Sequence, residues 1–305
     1  PANSVSSLNL APWRYQVENK PPNTVLNKGI RITSTALIQA YYEVNPSNNL
    51  NPDIYALKGG NALGTNFFIP LQNYLNNGYT QSPSGFDIVA TEDNTTIEIT
   101  PRKPIVGHAQ NVTFSITLDA GETWSGRATS TAASQHPFGT VVNSDKPIAI
   151  TISDDSLNGT PYGGCADLFG DQIVPADIVG TEYIAIKGNL NGPDKVFFIP
   201  TEPNTTISVN GNAVTTLTNL TSIYSHTLYA TAAYYEASAP VYALHLTGFG
   251  CEVGGALLPP IVCTGSQEVA FIRSTNEFMG LKILVPDGGE DDFEFNGDPD
   301  QIVAS

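Results

Sequence analysis

Carboxylates and cysteines are the residues of this sequence best able to do chemistry. The stretch PDGGEDDFEFNGDPD holds Asp287, Glu290, Asp291, Asp292, Glu294, Asp298 and Asp300. Crowded carboxylates repel one another, and a hard divalent cation relieves this by taking several oxygens at about 2.3–2.6 Å. We therefore expect a calcium site on Asp287, Glu290, Asp291, Asp292, Asp298 and Asp300, against the competing picture of a solvated acidic turn. Their spacing is not that of an EF-hand loop. Asp154 with Asp155, and Asp167 with Asp171, are weaker candidates of the same kind. The three cysteines, Cys165, Cys251 and Cys263, permit one bridge and three pairings. Cys251 and Cys263 flank the tight segment GCEVGGALLPPIVC and are the expected pair, a short clip that would contribute roughly 3 kcal/mol.

Exposed aromatic rings are the other source of binding chemistry, because they bury much area at small entropic cost. Trp13, Trp124, Tyr79 and Tyr162 fall in or near expected loops; Trp124, Tyr79 and Tyr162 are the candidate ligand contacts, with core packing as the alternative for each. Hydrolytic and cofactor signatures are missing. His108, His136, His226 and His245 never pair four residues apart, and the sequence has no HExxH, GxSxG, P-loop, dinucleotide fingerprint or CxxC. A hydrolase would need two acids meeting in a cleft, and no motif announces such a pair. The expectation is a protein that is not an enzyme.

The elements that must position these residues are strands. TTIEIT and TTISV alternate polar and apolar side chains, as half-buried strands do. PIAITIS, KVFFIP and NVTFSITL read the same way. Asp93-Asn94, Pro203-Asn204 and the DAGE segment supply turns. No long amphipathic helix is apparent, although one helical turn is expected near 166–173. The long connections 44–62 and 153–178 are expected to be loops, and to make the ligand contacts.

Self-similarity organises these strands. TEDNTTIEI from Thr91 recurs as TEPNTTISV from Thr201, and DGGEDDFEF from Asp287 is a third version. SDKPIAI from Ser144 matches STALIQA from Ser34 and SAPVYAL from Ser238. LGTNFFI, VGTEYIAI and TGSQEVAFI form another triplet. A period near 100 residues is too long for the common solenoids. The expected fold is all-β: three related β-sandwich or blade-like units over 30–139, 140–235 and 236–305, after an N-terminal segment 1–29. The third unit ends early, so either the polypeptide continues or the N-terminal segment completes it. The chain starts without Met, which suggests processing.

Composition narrows the setting. The 305 residues carry 29 acidic and 13 basic side chains, a net charge of −16, and 41% are hydrophobic. That apolar content supports a folded core, while the acidic balance argues against nucleic acid or an anionic membrane surface as partner. No apolar run reaches the length of a membrane span, so no membrane insertion is expected. Abundant Asn, Thr, Gly, Pro and Tyr with little Lys give the polar, weakly charged, turn-rich look of a secreted β protein.

Several segments resemble a known family. FDIVATEDNTTIEITP, LDAGETW, NSDKPIAI and GCADLFGDQIVPADIVGTEYIA are similar to the N-terminal domain of IgGFc-binding protein. GFGCEVGGALLPPIVCTGSQEVAFIRS resembles copies of that domain in very large secreted proteins of Bacteroidetes-type bacteria. The resemblance spans most of 30–300 and rests on strand and turn elements. It implies an extracellular, non-enzymatic, all-β module of mucin-like or adhesin-like proteins, and no antibody-contact residue carries over. The expected function is a cell-surface adhesin or filament module, as in a gliding or surface-attaching bacterium. It would bind an extracellular protein or glycan through loops, beside neighbouring modules of one long polypeptide. The rival is a carbohydrate-binding module of a secreted polysaccharide-degrading enzyme.

Overall fold

The computed structural model describes residues 5–44, 53–266, 269, 280–289 and 294. The chain divides into a larger unit, Pro1–Val269, and a smaller one, Ala270–Ser305. Strands dominate, and the described helices are short turns, the longest helical run being Ala11–Trp13 followed by Arg14–Val17. The all-β expectation holds.

The strands of the larger unit fall into three groups. β1 (Ala40–Val44) and β2 (Asp53–Leu57) pair as an antiparallel hairpin. A seven-stranded sheet follows, made of β3 (Gly64–Phe68), β4 (Gly85–Ala90), β5 (Thr95–Thr100), β6 (Phe114–Leu118), β7 (Thr123–Arg127), β8 (Val141–Asn158) and β9 (Ala166–Gln172). The second sheet has eight: β10 (Gly180–Ile186), β11 (Asn189–Leu190), β12 (Asp194–Pro200), β13 (Thr205–Val209), β14 (Asn212–Leu217), β15 (Tyr224–Leu228), β16 (Ala232–Gly250) and β17 (Glu252–Leu257).

The two sheets have one topology. The first runs β6-β5-β8-β4-β7, with β3 and β9 also on β8; the second runs β14-β13-β16-β12-β15, with β10 and β17 also on β16. The insertion that distinguishes them is β11, which pairs parallel with β16. Small details repeat with the topology. Thr91 donates its hydroxyl to the Pro147 carbonyl as Thr201 does to that of Pro240, and Thr95 and Thr205 donate likewise to Glu92 and Glu202. Asn94 and Asn204, at the turns before β5 and β13, both adopt positive φ, a conformation Asn tolerates better than most residues.

This arrangement corrects the expected unit boundaries. β8 spans the Ser-x-x-Pro recurrence at 144 that was to open a second unit, yet it pairs with β3, β4 and β5. β16 and β17, assigned to the third unit, complete the second sheet. The recurring SDKPIAI-type strand therefore closes a unit rather than opening one. Periodicity gives the length of a repeat but not its phase, because any rotation of the order is equally periodic. The STALIQA copy leads into β1, so β1–β2 stands where β8–β9 and β16–β17 stand in their sheets. The third-unit strands expected at TGSQEVAFI and DGGEDDFEF lie largely outside the described residues. The N-terminal segment straps the first sheet: Asn23 N–H donates to the Ser125 carbonyl, and Leu26 bridges Thr123 on β7.

Two apolar cores result. The first sheet buries Phe86, Ile88, Trp124, Ile150 and Ile152, continuous with Phe197, Ile199, Tyr242 and Leu244 on the outer face of the second sheet. The second sheet encloses its own core of Val196, Phe198, Ile207, Tyr235 and Val241. The first core thus joins the two sheets and fixes their mutual placement, since this apolar surface is removed from water only when they are docked.

Candidate functional site

The expected loops 44–62 and 153–178 carry strands. β2 lies in the first, the end of β8 and all of β9 in the second, and the helical turn expected at 166–173 is β9 itself. These hairpins extend as arms. β9 packs on β2 at one side and on β17 at the other. Side chains alternate across a strand, and β9 uses both faces. Phe169 covers Gly255 of β17, while Gly170 on the opposite face lies under Tyr55 of β2. A β-carbon at either glycine would run into the carbonyl of the paired strand, Ile152 or His245.

The arms determine the cysteine pairing. Cys251 is bonded to Cys165, with Cα atoms 5.4 Å apart, a normal disulfide span. The expected Cys251–Cys263 bridge is thereby overturned: arm packing brings the start of β9 to the β16–β17 turn, a juxtaposition that sequence proximity does not reveal. The bridge staples the arm of one sheet to the arm of the next. Glu252 completes a cluster with the two sulfurs, but sulfurs bonded to each other are not thiolate ligands.

The weaker acidic candidates prove to be used within the fold. Asp167 and Asp171, four apart on one face of β9, accept the backbone N–H groups of Val253 and Leu257, each at 2.9 Å. Asp171 also meets Lys58 Nζ at 2.6 Å. Burial, then the neighbouring Glu252 carboxyl, raises the Asp167 pKa to about 7. Burial also raises that of Asp171, opposed by Lys58. Asp154 is fully buried beside Gln72, Asn77 and His136, accepting from Gln72 Nε2 at 3.2 Å and facing His136 Nδ1 at 3.4 Å. Asp155, the next residue on β8, lines a separate surface recess, so Asp154 and Asp155 do not converge on one ion. Of the 287–300 cluster, Asp287 is exposed, whereas Glu290, Asp291, Asp292, Asp298 and Asp300 lie outside the described residues.

Two of the three expected aromatic contacts are buried. Trp124 on β7 is core, its ring centroid 5.7 Å from that of Phe114 and 6.1 Å from that of Phe86. Tyr162 is 2% exposed and donates its hydroxyl to the Pro193 carbonyl at 3.0 Å. Neither ring is presented to a ligand. Tyr79 is 63% exposed and remains a candidate.

Thr80, next to Tyr79 in the sequence, lines one of two surface recesses. One, of about 270 Å³, lies between the N-terminal strap and the 81–83 loop, with Pro21, Pro22, Pro83 and Val106 as apolar walls and Lys20, Arg127 and Asp155 as its charged groups. A second, of about 240 Å³, shares Pro83 and is lined by Thr80, Thr129, Ser130 and Thr131. The strap is held by Asn19, which donates to Asp87 at 2.8 Å and accepts from Thr123 at 3.0 Å. Arg127 is fixed by Asp87 at 2.6 Å and by the Ser153 hydroxyl at 3.0 Å. Burial works against its charge, but Asp87 and Asp155 outweigh that and raise its pKa. Burial raises the Asp155 pKa, opposed by Arg127 and Lys20. The result is a proline-walled cleft with charges of both signs and a hydroxyl-rich extension. Sequence reasoning missed it, because its parts are far apart in the chain and carry no motif.

A repeated all-β unit, stapled arm to arm and bearing a mixed apolar and charged recess, has the construction of a binding module. The family model described as IgGFc binding protein matches residues 54–303. The chain belongs to that family, which is one of binding domains. No curated protein and no solved structure matches it.

Proposed function

We propose that the chain is a non-catalytic, extracellular binding module of an adhesin-like protein and that it captures a protein ligand in the recess between its N-terminal strap and the 81–83 loop. The observation that carries this reading is the recess itself. Proline walls and Val106 offer apolar contact, and Arg127 and Asp155 offer charges of both signs to a peptide backbone or side chains. Such a mixture of apolar surface with a few placed polar groups suits ligand capture. A disulfide between the arms fits an oxidising compartment. The carbohydrate-binding alternative calls for a flat row of exposed rings, and burial takes two of the candidate rings, Trp124 and Tyr162, out of reach.

The test is selection of a phage-displayed library of random short peptides on the immobilised chain, with immunoglobulin Fc as a second probe and a glycan array as the rival arm. Enriched peptides or Fc should bind the wild type and lose at least tenfold in affinity, about 1.4 kcal/mol, with Tyr79→Ala or Val106→Asp. Binding to glycans alone, or peptide and Fc binding insensitive to both substitutions, would sink the reading.

A further inference from the structure

The hairpin arms form a stack whose two end faces are unmated among the described residues. Within it the contact is directional. β9 turns Asp167, Phe169 and Asp171 toward β17 and receives Tyr55 of β2 on its other face. Across the β2–β9 contact, Lys58 N–H also donates to Gln172 Oε1 at 2.7 Å. Each arm therefore has a forward face, which holds the next arm, and a rear face, which sits on the preceding one. On β17, Val253 and Leu257 are buried and Gly255 lies under Phe169. This leaves Gly254 and Ala256 on the forward face, where Ala256 is exposed and nothing lies within 4 Å of a β-carbon built on Gly254. On β2, Tyr55 faces β9, which leaves Ile54, 47% exposed, and Ala56, also exposed, on the rear face.

We propose that these two faces are halves of one propagating interface and that each mates with the arm of another copy of this repeat, forward face to rear face. The occupant is argued from continuity: the same kind of contact is already made twice, β2 on β9 and β9 on β17, and β9 and β17 belong to sheets of one topology. The sequence also resumes the repeat after β17 with TGSQEVAFI. A forward-to-rear contact is heterologous, so it extends an array or closes a ring of several copies rather than capping a dimer. The proposal is independent of what the recess binds.

Sedimentation velocity over about 1 μM to 1 mM, the weak end of specific association, tests it with Cys263→Ser throughout to prevent thiol cross-linking. The parent chain should show concentration-dependent growth beyond dimer. Ile54→Glu blocks the rear face and Ala256→Glu the forward face. Both positions are exposed, so both variants should fold, which circular dichroism checks. Each alone should lose at least about tenfold in association, because a charge would be buried without a partner. Mixed together they should form a 1:1 complex and stop there, since the Ala256→Glu chain supplies a rear face and the Ile54→Glu chain a forward one. A parent that stays monomeric throughout, a mixture that does not associate, or either variant associating like the parent would overturn the proposal.

Discussion

Breaking the Cys165–Cys251 bridge should cost most of the stability of the arm stack. The bridge closes a loop with a sequence separation of 86 residues. Constraint of the unfolded chain by a loop of that length is worth about 4.6 kcal/mol in the chain-entropy treatment. A Cys251–Cys263 clip, closing the 12-residue spacing of those two cysteines, would be worth only about 2.8 kcal/mol on the same basis. With a urea m-value of about 3 kcal/mol/M, the denaturation midpoint of Cys165→Ser should fall by roughly 1.5 M. Cys263→Ser should leave it in place. Non-reducing peptide mapping should recover Cys165 and Cys251 in one linked fragment, and hydrogen exchange should report loss of protection in β9 and β17 once the bridge is gone. An unchanged midpoint in Cys165→Ser, or an equal fall in Cys263→Ser, would refute the inter-arm staple.

Four further outcomes follow from the arm geometry. Because the Asp167 pKa is raised to about 7 from a carboxylate's ordinary value near 4, the folded chain holds that proton more tightly than the unfolded one. Its contribution is complete below about pH 4 and is lost as pH rises to about 7; Asp167→Asn, which still accepts from Val253, should flatten that part of a thermal-midpoint profile against pH. Phe169→Ala removes a fully buried ring from the contact with Gly255 and should cost about 3–5 kcal/mol in chemical denaturation. Gly255→Ala should lose about 1–3 kcal/mol, because its methyl group meets the His245 carbonyl and the Phe169 ring. Gly254→Ala, with open space around it, should change stability by less than about 0.5 kcal/mol.

Local patterning was enough to place many of the strands. TTIEIT, TTISV and KVFFIP are strands because alternation and β-branched content favour a half-buried pleat, and the asparagines before the first two form the turns their type predicts. The recurrences were equally legible, since similar strands must pack in similar surroundings. What sequence could not supply was anything that depends on which repeats touch. The phase of the repeat was invisible because a closing strand and an opening strand carry the same pattern. DIYAL and ADLFGDQ sit within long connections and set Asp and Gly among their apolar residues. These breaks suit arm packing, where a carboxylate caps a neighbour's N–H and a glycine makes room for a ring, but they blur the alternation of an ordinary strand. Trp124 and Tyr162 looked available because they lie beside turns, yet closure of the sheets buried both.

Sequence by itself determined an all-β chain of recurring, acidic, turn-rich units, because strand period and turn chemistry are local properties. Only the tertiary structure decided that Cys251 bonds Cys165, that Asp167 and Asp171 serve a neighbouring strand, and that Pro22, Pro83, Arg127 and Asp155 share a recess. Each of these joins residues distant in the chain, and such neighbours are selected by the burial of whole apolar faces rather than by any signal in the segments themselves.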